Sequence, residues 1–98
     1  MQKSLNDITD EEIALVEELA ALYYTPKEIC IIVELNLAEA KEQIEVEEGN
    51  FYTAFQRGRL QSETDLRRSI LMLAKAGSSP AQTMAMDLLN KSKIKMLD

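Results

Sequence analysis

The sequence predicts an all-α chain: an N-terminal three-helix helix-turn-helix bundle over residues 1–50, then an antiparallel helical hairpin over residues 51–98. Three observations carry this. Helix N-cap signals recur at Thr9, Thr25 and Asn36, each with a Glu three residues on. Residues that favour helix are plentiful, and only three Gly and two Pro interrupt them. The stretch Gly77-Ser78-Ser79-Pro80-Ala81-Gln82 has the chemistry of a helix stop followed at once by a helix start.

Residues 1–8 read as a frayed lead-in. Thr9 and Glu12 form a capping box that starts the first helix, with Asp10, Glu11 and Glu12 at its positive end. Ile13, Val16, Ala20 and Tyr23 follow the helical period. Pro26 breaks this helix, because proline disfavours helical geometry in the residue before it. Thr25 and Glu28 then make a second capping box, with Pro26 at the first helical position, and the second helix runs from Pro26 to Val33. Asn36 restarts a third helix, Leu37 to Val46, only eleven residues after Thr25. The quick restart is the pattern of a helix-turn-helix. Gly49 or Asn50 is expected to cap its C-terminus.

A fourth helix is predicted from Phe51 to Ala76, with Phe51, Phe55, Gly58, Ser62, Leu66, Ser69 and Leu73 along one face. Gly58 either admits a neighbouring helix closely or is a weak point. Gly77 is expected just past the end of this helix. Ser79 is expected as the N-cap of the fifth, with Pro80 first inside and Gln82 completing a capping box. The connection is short enough to imply an antiparallel pair. Residues 70–74 and 84–86 are apolar on more than one face, so Leu71, Met72, Met84 and Met86 are expected at a self-association surface.

Composition limits the chemistry. The chain has no His, which removes the commonest general base and the commonest metal ligand. Its neighbouring carboxylates, such as Glu17 and Glu18, do not face one another on a helix. There is no glycine-rich phosphate loop. No enzyme, metal or cofactor is expected. The single Cys30 allows no internal disulfide and reads as a small buried residue of a cytoplasmic protein. No apolar run is long enough to span a membrane.

The net charge of −6 is unevenly spread. Residues 1–50 carry thirteen acidic and three basic side chains, whereas residues 51–98 carry four acidic and eight basic. The basic half either attracts the acidic half, within or between subunits, or meets a polyanion. In the helix-turn-helix, Cys30 takes the small-residue position between helices, and Glu34 stands where the turn usually has Gly. Leu37, Ala38, Lys41 and Gln43 lie near the start of the second motif helix, and of these Lys41 and Gln43 can donate to a base edge. Glu39 and Glu42 would repel phosphate. On the fourth helix Arg57, Arg59, Arg67 and Arg68 are phosphate candidates; the alternative pairs Glu63 with Arg67 and turns the other arginines toward the acidic helices.

Residues 25–36, TPKEICIIVELN, together with FYTAFQRGRL at 51–60, LRRSI at 66–70 and GSSPAQ at 77–82, resemble the terminase small subunits of phages and prophages. The resemblance covers most of the chain. It implies a ring-forming protein whose helix-turn-helix recognises double-stranded viral DNA and whose helical hairpin builds the oligomer. A partner large subunit would supply ATPase and nuclease. By position it implies Lys27, Lys41, Arg57 and Arg59 as DNA contacts. The chain departs from that family in its acidic first half and its short C-terminus.

The sequence therefore leads to a non-enzymatic, oligomeric DNA-binding protein of a phage or prophage, acting in the bacterial cytoplasm. Two alternatives stand beside it. One is an interaction module that uses the helix-turn-helix scaffold without DNA. The other is a small transcriptional regulator.

Overall fold

The computed structural model describes residues 2–96. Among them are a 3-10 turn, Leu5–Asp7, and five α-helices: α1 (Asp10–Ala21), α2 (Pro26–Val33), α3 (Leu37–Val46), α4 (Asn50–Lys75) and α5 (Ser79–Lys95). The chain divides into two compact units, Met1–Ser62 and Glu63–Asp98. The boundary between the units falls inside α4.

The helix starts in the first unit are set by local hydrogen bonds. Thr9 and Thr25 each close a complete capping box, with Glu12 and Glu28 respectively. Asn36 caps α3 through the Glu39 backbone N–H. The stops share one geometry. Tyr23, Glu34 and Glu47 each adopt the left-handed conformation just past a helix, with φ of 68°, 61° and 58°. The next backbone N–H then reaches back: Tyr24 to Leu19 O at 3.2 Å, Leu35 to Cys30 O at 3.0 Å, Glu48 to Gln43 O at 3.2 Å. These are Schellman turns built without glycine. Glu47, rather than Gly49 or Asn50, therefore ends α3, and Asn50 opens α4.

The core of this unit is built on Val16, Ile29, Cys30, Leu35, Ala40 and Phe51, all at 0% exposure. Phe51 and Phe55 stack with ring centroids 6.2 Å apart. Gly58 is buried where α4 meets α1, in contact with the Glu17 carbonyl and the Ala20 side chain. It is a point of close helix approach, which resolves the alternative left by the sequence.

Residues 2–8 are not a frayed lead-in. Lys3 pairs with Leu35 in a parallel bridge, with Lys3 N–H donating to Glu34 O at 2.8 Å and Asn36 N–H donating to Lys3 O at 2.7 Å. The segment thereby clamps the α2–α3 connection. Leu5 is buried in the core, and Ile8 packs against it. The apolar pair satisfies the hydrophobic drive that a frayed end would leave unmet.

In the second unit, Ser78 N–H donates to Leu73 O and Gly77 N–H to Ala74 O, with Gly77 at φ 101°, so α4 ends in a glycine Schellman turn. Ser78, not Ser79, is the N-cap of α5, and Pro80 sits one position deeper than expected. Gln82 donates its amide to Ala74 O at 3.2 Å instead of closing a capping box. Ala81 is the only buried residue described between 63 and 96. Leu66, Ser69 and Leu73 are exposed, so the α4 face expected to be continuous is buried only in its first half, at Phe51, Phe55 and Gly58. Among the described residues, no helix is long and apolar enough to cross a membrane.

Candidate nucleic-acid interface

Three of the five residues expected to contact DNA are already engaged by the fold. Gln43 lies on α3, but its amide is turned to the start of α4. Its Oε1 accepts from Phe51 N–H at 2.8 Å and Tyr52 N–H at 3.1 Å, and its Nε2 donates to Asn50 Oδ1 at 3.1 Å. It fills the role of an N-cap for a helix whose first N–H groups have no partners of their own. Reading a base edge would strip α4 of that cap.

Arg59 is held from three sides. Its Nη2 donates to Tyr24 O at 2.9 Å, and its guanidinium carbon lies 4.7 Å from the Phe55 ring centroid and 5.4 Å from that of Tyr23. Its Nε is covered and has no hydrogen-bond partner among the described residues. This arrangement stabilises the turn after α1, with each ring contact worth roughly 0.5–1 kcal/mol. Arg57 is largely exposed but faces Glu17 across α1, Nε to Oε1 at 3.6 Å. The arginines at the start of α4 thus meet the acidic half of their own chain. Further along, Arg68 pairs with Asp65 at 3.9 Å, and Glu63 makes no ion pair with Arg67.

Lys27 and Lys41 remain. Both are exposed, and they line one shallow groove with Thr25, Pro26, Ile44 and Glu45, between the start of α2 and the body of α3. The structure brings together these two lysines, which the sequence separates by fourteen positions. The capping box at Thr25 sets the first turn of α2, and Ile44 packs against the core.

The acids around the groove differ in their roles. Glu39 is turned away from it. Its carboxylate accepts Leu5 N–H at 2.8 Å and the Ser4 hydroxyl at 3.1 Å, tying the N-terminal segment to α3. Glu28 is held below the usual carboxylate range by the Thr25 backbone and hydroxyl hydrogen bonds. Glu42 is exposed, and Glu45 is in the groove wall. Glu28 stays ionised, so three carboxylates, Glu28, Glu42 and Glu45, stand beside the two lysines, and the local charge by itself does not favour phosphate.

Cys30 is fully covered, and burial pushes its thiol up from its ordinary value, which keeps it protonated and unreactive. No group of three or more potential metal ligands occurs among the described residues.

Sequence reasoning missed the N-terminal clamp. Its signals were present: Ser4 caps the Leu5–Asp7 turn through Asn6 N–H, and Leu5 and Ile8 are apolar. The chain matches no protein-family model, and no curated protein and no solved structure shows significant similarity to it.

Proposed function

We propose that this chain is a non-enzymatic, self-associating DNA-binding protein similar to the phage terminase small subunits. In this reading α1 to α3 form a helix-turn-helix bundle, and α4 with α5 forms an antiparallel hairpin that carries assembly. The observation that carries the DNA part is the shared groove of Lys27 and Lys41 at the α2–α3 pair. Glu34 supports the motif, because a left-handed residue stands at the turn where a helix-turn-helix requires one. The assembly part is supported by the exposure of Leu71, Met72, Met84 and Met86, at 44–71%, in a unit with almost no core. A protein of this kind would work in a bacterial cytoplasm alongside a terminase large subunit.

The test is titration of the folded chain against duplex DNA at two salt concentrations, with Lys27→Glu/Lys41→Glu as the variant. Binding at low salt, lost in the variant, supports the reading; replacing each lysine lowers the salt slope by about 1. Failure of an assembled, folded protein to bind at low salt overturns the DNA part.

One observation favours a second reading, an assembly module without DNA. Arg57 and Arg59 are spent on Glu17 and on Tyr24, Tyr23 and Phe55. In that case the Lys27→Glu/Lys41→Glu variant assembles as the parent does, and neither binds DNA.

A further inference from the structure

α1 has two faces. Val16, Leu19 and Ala20 are buried. On the other side Glu11, Leu15, Glu18 and Leu22 follow at spacings of four, three and four, which places them on one stripe. All four are exposed, Leu22 at 64%. The stripe alternates acid and leucine over about 16 Å of helix.

The second unit carries a surface of complementary chemistry. Arg67 of α4 and Leu88, Lys91, Ser92, Lys95 and Met96 of α5 line one groove. Along α5 this groove presents an apolar residue, two lysines and an apolar residue within about 12 Å. Among the described residues no ion pair or hydrogen bond engages the side chains of Glu11, Glu18, Arg67, Lys91 or Lys95. The wider charge agrees: residues 1–62 hold thirteen acidic and five basic side chains, and residues 63–98 hold four acidic and six basic.

We infer that the Glu11–Leu15–Glu18–Leu22 stripe of one copy docks in the Arg67–Lys91–Lys95 groove of a second copy. This rests on the self-association reading and gives it a specific contact. A nucleic-acid phosphate chain would satisfy the cations but leave Leu88 and Met96 in water. An acidic helix that also carries leucines offers partners to both. The two surfaces differ, so the contact is heterologous, and each added copy offers a fresh stripe or groove. Assembly then continues until the rotation closes a ring or extends an open chain. Asp87 lies one turn before Lys91 on α5 and trims the positive field there without pairing within 4.0 Å.

Light scattering on the full chain, at low and at about 1 M salt, tests this. The parent assembles at low salt and dissociates as salt rises. Glu11→Lys/Glu18→Lys and Lys91→Glu/Lys95→Glu each reduce the mass to the 11.1 kDa of one chain, while far-UV circular dichroism keeps the helical signal of the parent. An equimolar mixture of the two variants, or one chain carrying all four changes, regains the assembled mass. An assembled parent whose mass neither variant changes overturns this contact and leaves self-association standing. A parent that is monomeric at every concentration overturns the self-association reading itself. If Lys91→Glu/Lys95→Glu keeps its mass but loses duplex DNA retention, the groove takes phosphate and the inference is overturned.

Discussion

Gly58 of α4 lies against the backbone carbonyl of Glu17 on α1, so close that a methyl group there would overlap the oxygen and stand 2.9 Å from the Ala20 Cβ. The crossing sets how deeply α4 enters the first unit, and it keeps Phe51 and Phe55 in the core. Two effects compete in Gly58→Ala. Helix propensity favours alanine by about 1 kcal/mol. Overpacking against backbone, which cannot rotate away, opposes it by about 1–3 kcal/mol or more. The expected net result is lower stability in urea unfolding. A gain would mean that the helices do not touch there.

Glu34→Gly should do the opposite. The left-handed conformation at φ 61° strains a residue with a Cβ by roughly 1–2 kcal/mol. Glycine removes that strain, partly offset by its freer unfolded chain. A rise of about 1 kcal/mol in unfolding free energy is expected, with Glu47→Gly as a parallel case at φ 58°. Both are read by the denaturation midpoint at constant slope.

Arg59→Met separates a structural from a DNA role. It keeps the stem over Phe55 and Tyr23 but loses the charge and the bond to Tyr24 O. Stability should fall by about 1–2 kcal/mol. Unchanged melting with weakened DNA binding would instead return Arg59 to the contact surface.

Glu39→Ala should release the N-terminal clamp. Leu5 N–H and the Ser4 hydroxyl lose a charged acceptor, at about 1.5–3 kcal/mol for a bond of that kind. Limited proteolysis should then cut within residues 2–8 faster than in the parent. Equal cutting rates would show that the bridge from Lys3 to Leu35 holds the segment alone.

Glu12 gives the pH dependence. The Lys3 hydrogen bond, followed by the Thr9 backbone N–H, lowers its carboxyl from 4.5 to about 2. The folded value lies below the unfolded one. The stability that its ionisation contributes is therefore complete above about 4.5 and is lost as pH falls toward about 2. NMR titration of the side-chain carboxyl should place its midpoint near the lower value. Lys3→Met should raise that midpoint and flatten the acid end of the stability curve.

The helices were legible where their signals are local. Thr25 with Pro26 and Glu28, and Asn36 with Glu39, place α2 and α3 at the residues where they begin. Ser78 and Ser79 are equally good caps by type, and Pro80 is tolerated at either of the first two helical positions, so the start of α5 was read one residue late. Gln43 and Arg59 show a different limit. Each has the chemistry of a nucleic-acid contact, and each finds its partner in a neighbouring helix or turn, Gln43 across seven to nine residues and Arg59 across thirty-five. Lys27 and Lys41 were named separately, but only folding sets them in one groove.

The sequence by itself determined that the chain is helical and where most helices begin and end, because caps, proline and side-chain period act within a turn or two of chain. It also determined that the chain lacks histidine and has an acidic first half. Tertiary structure decided which charges are available. Hydrogen bonds and ring contacts made through the fold engage Gln43, Arg59 and Glu39, and the clamp from Lys3 to Leu35 turned an expected loose end into part of the core. Electrostatic and hydrogen-bond partners are chosen by distance in space, and only the folded chain sets that distance.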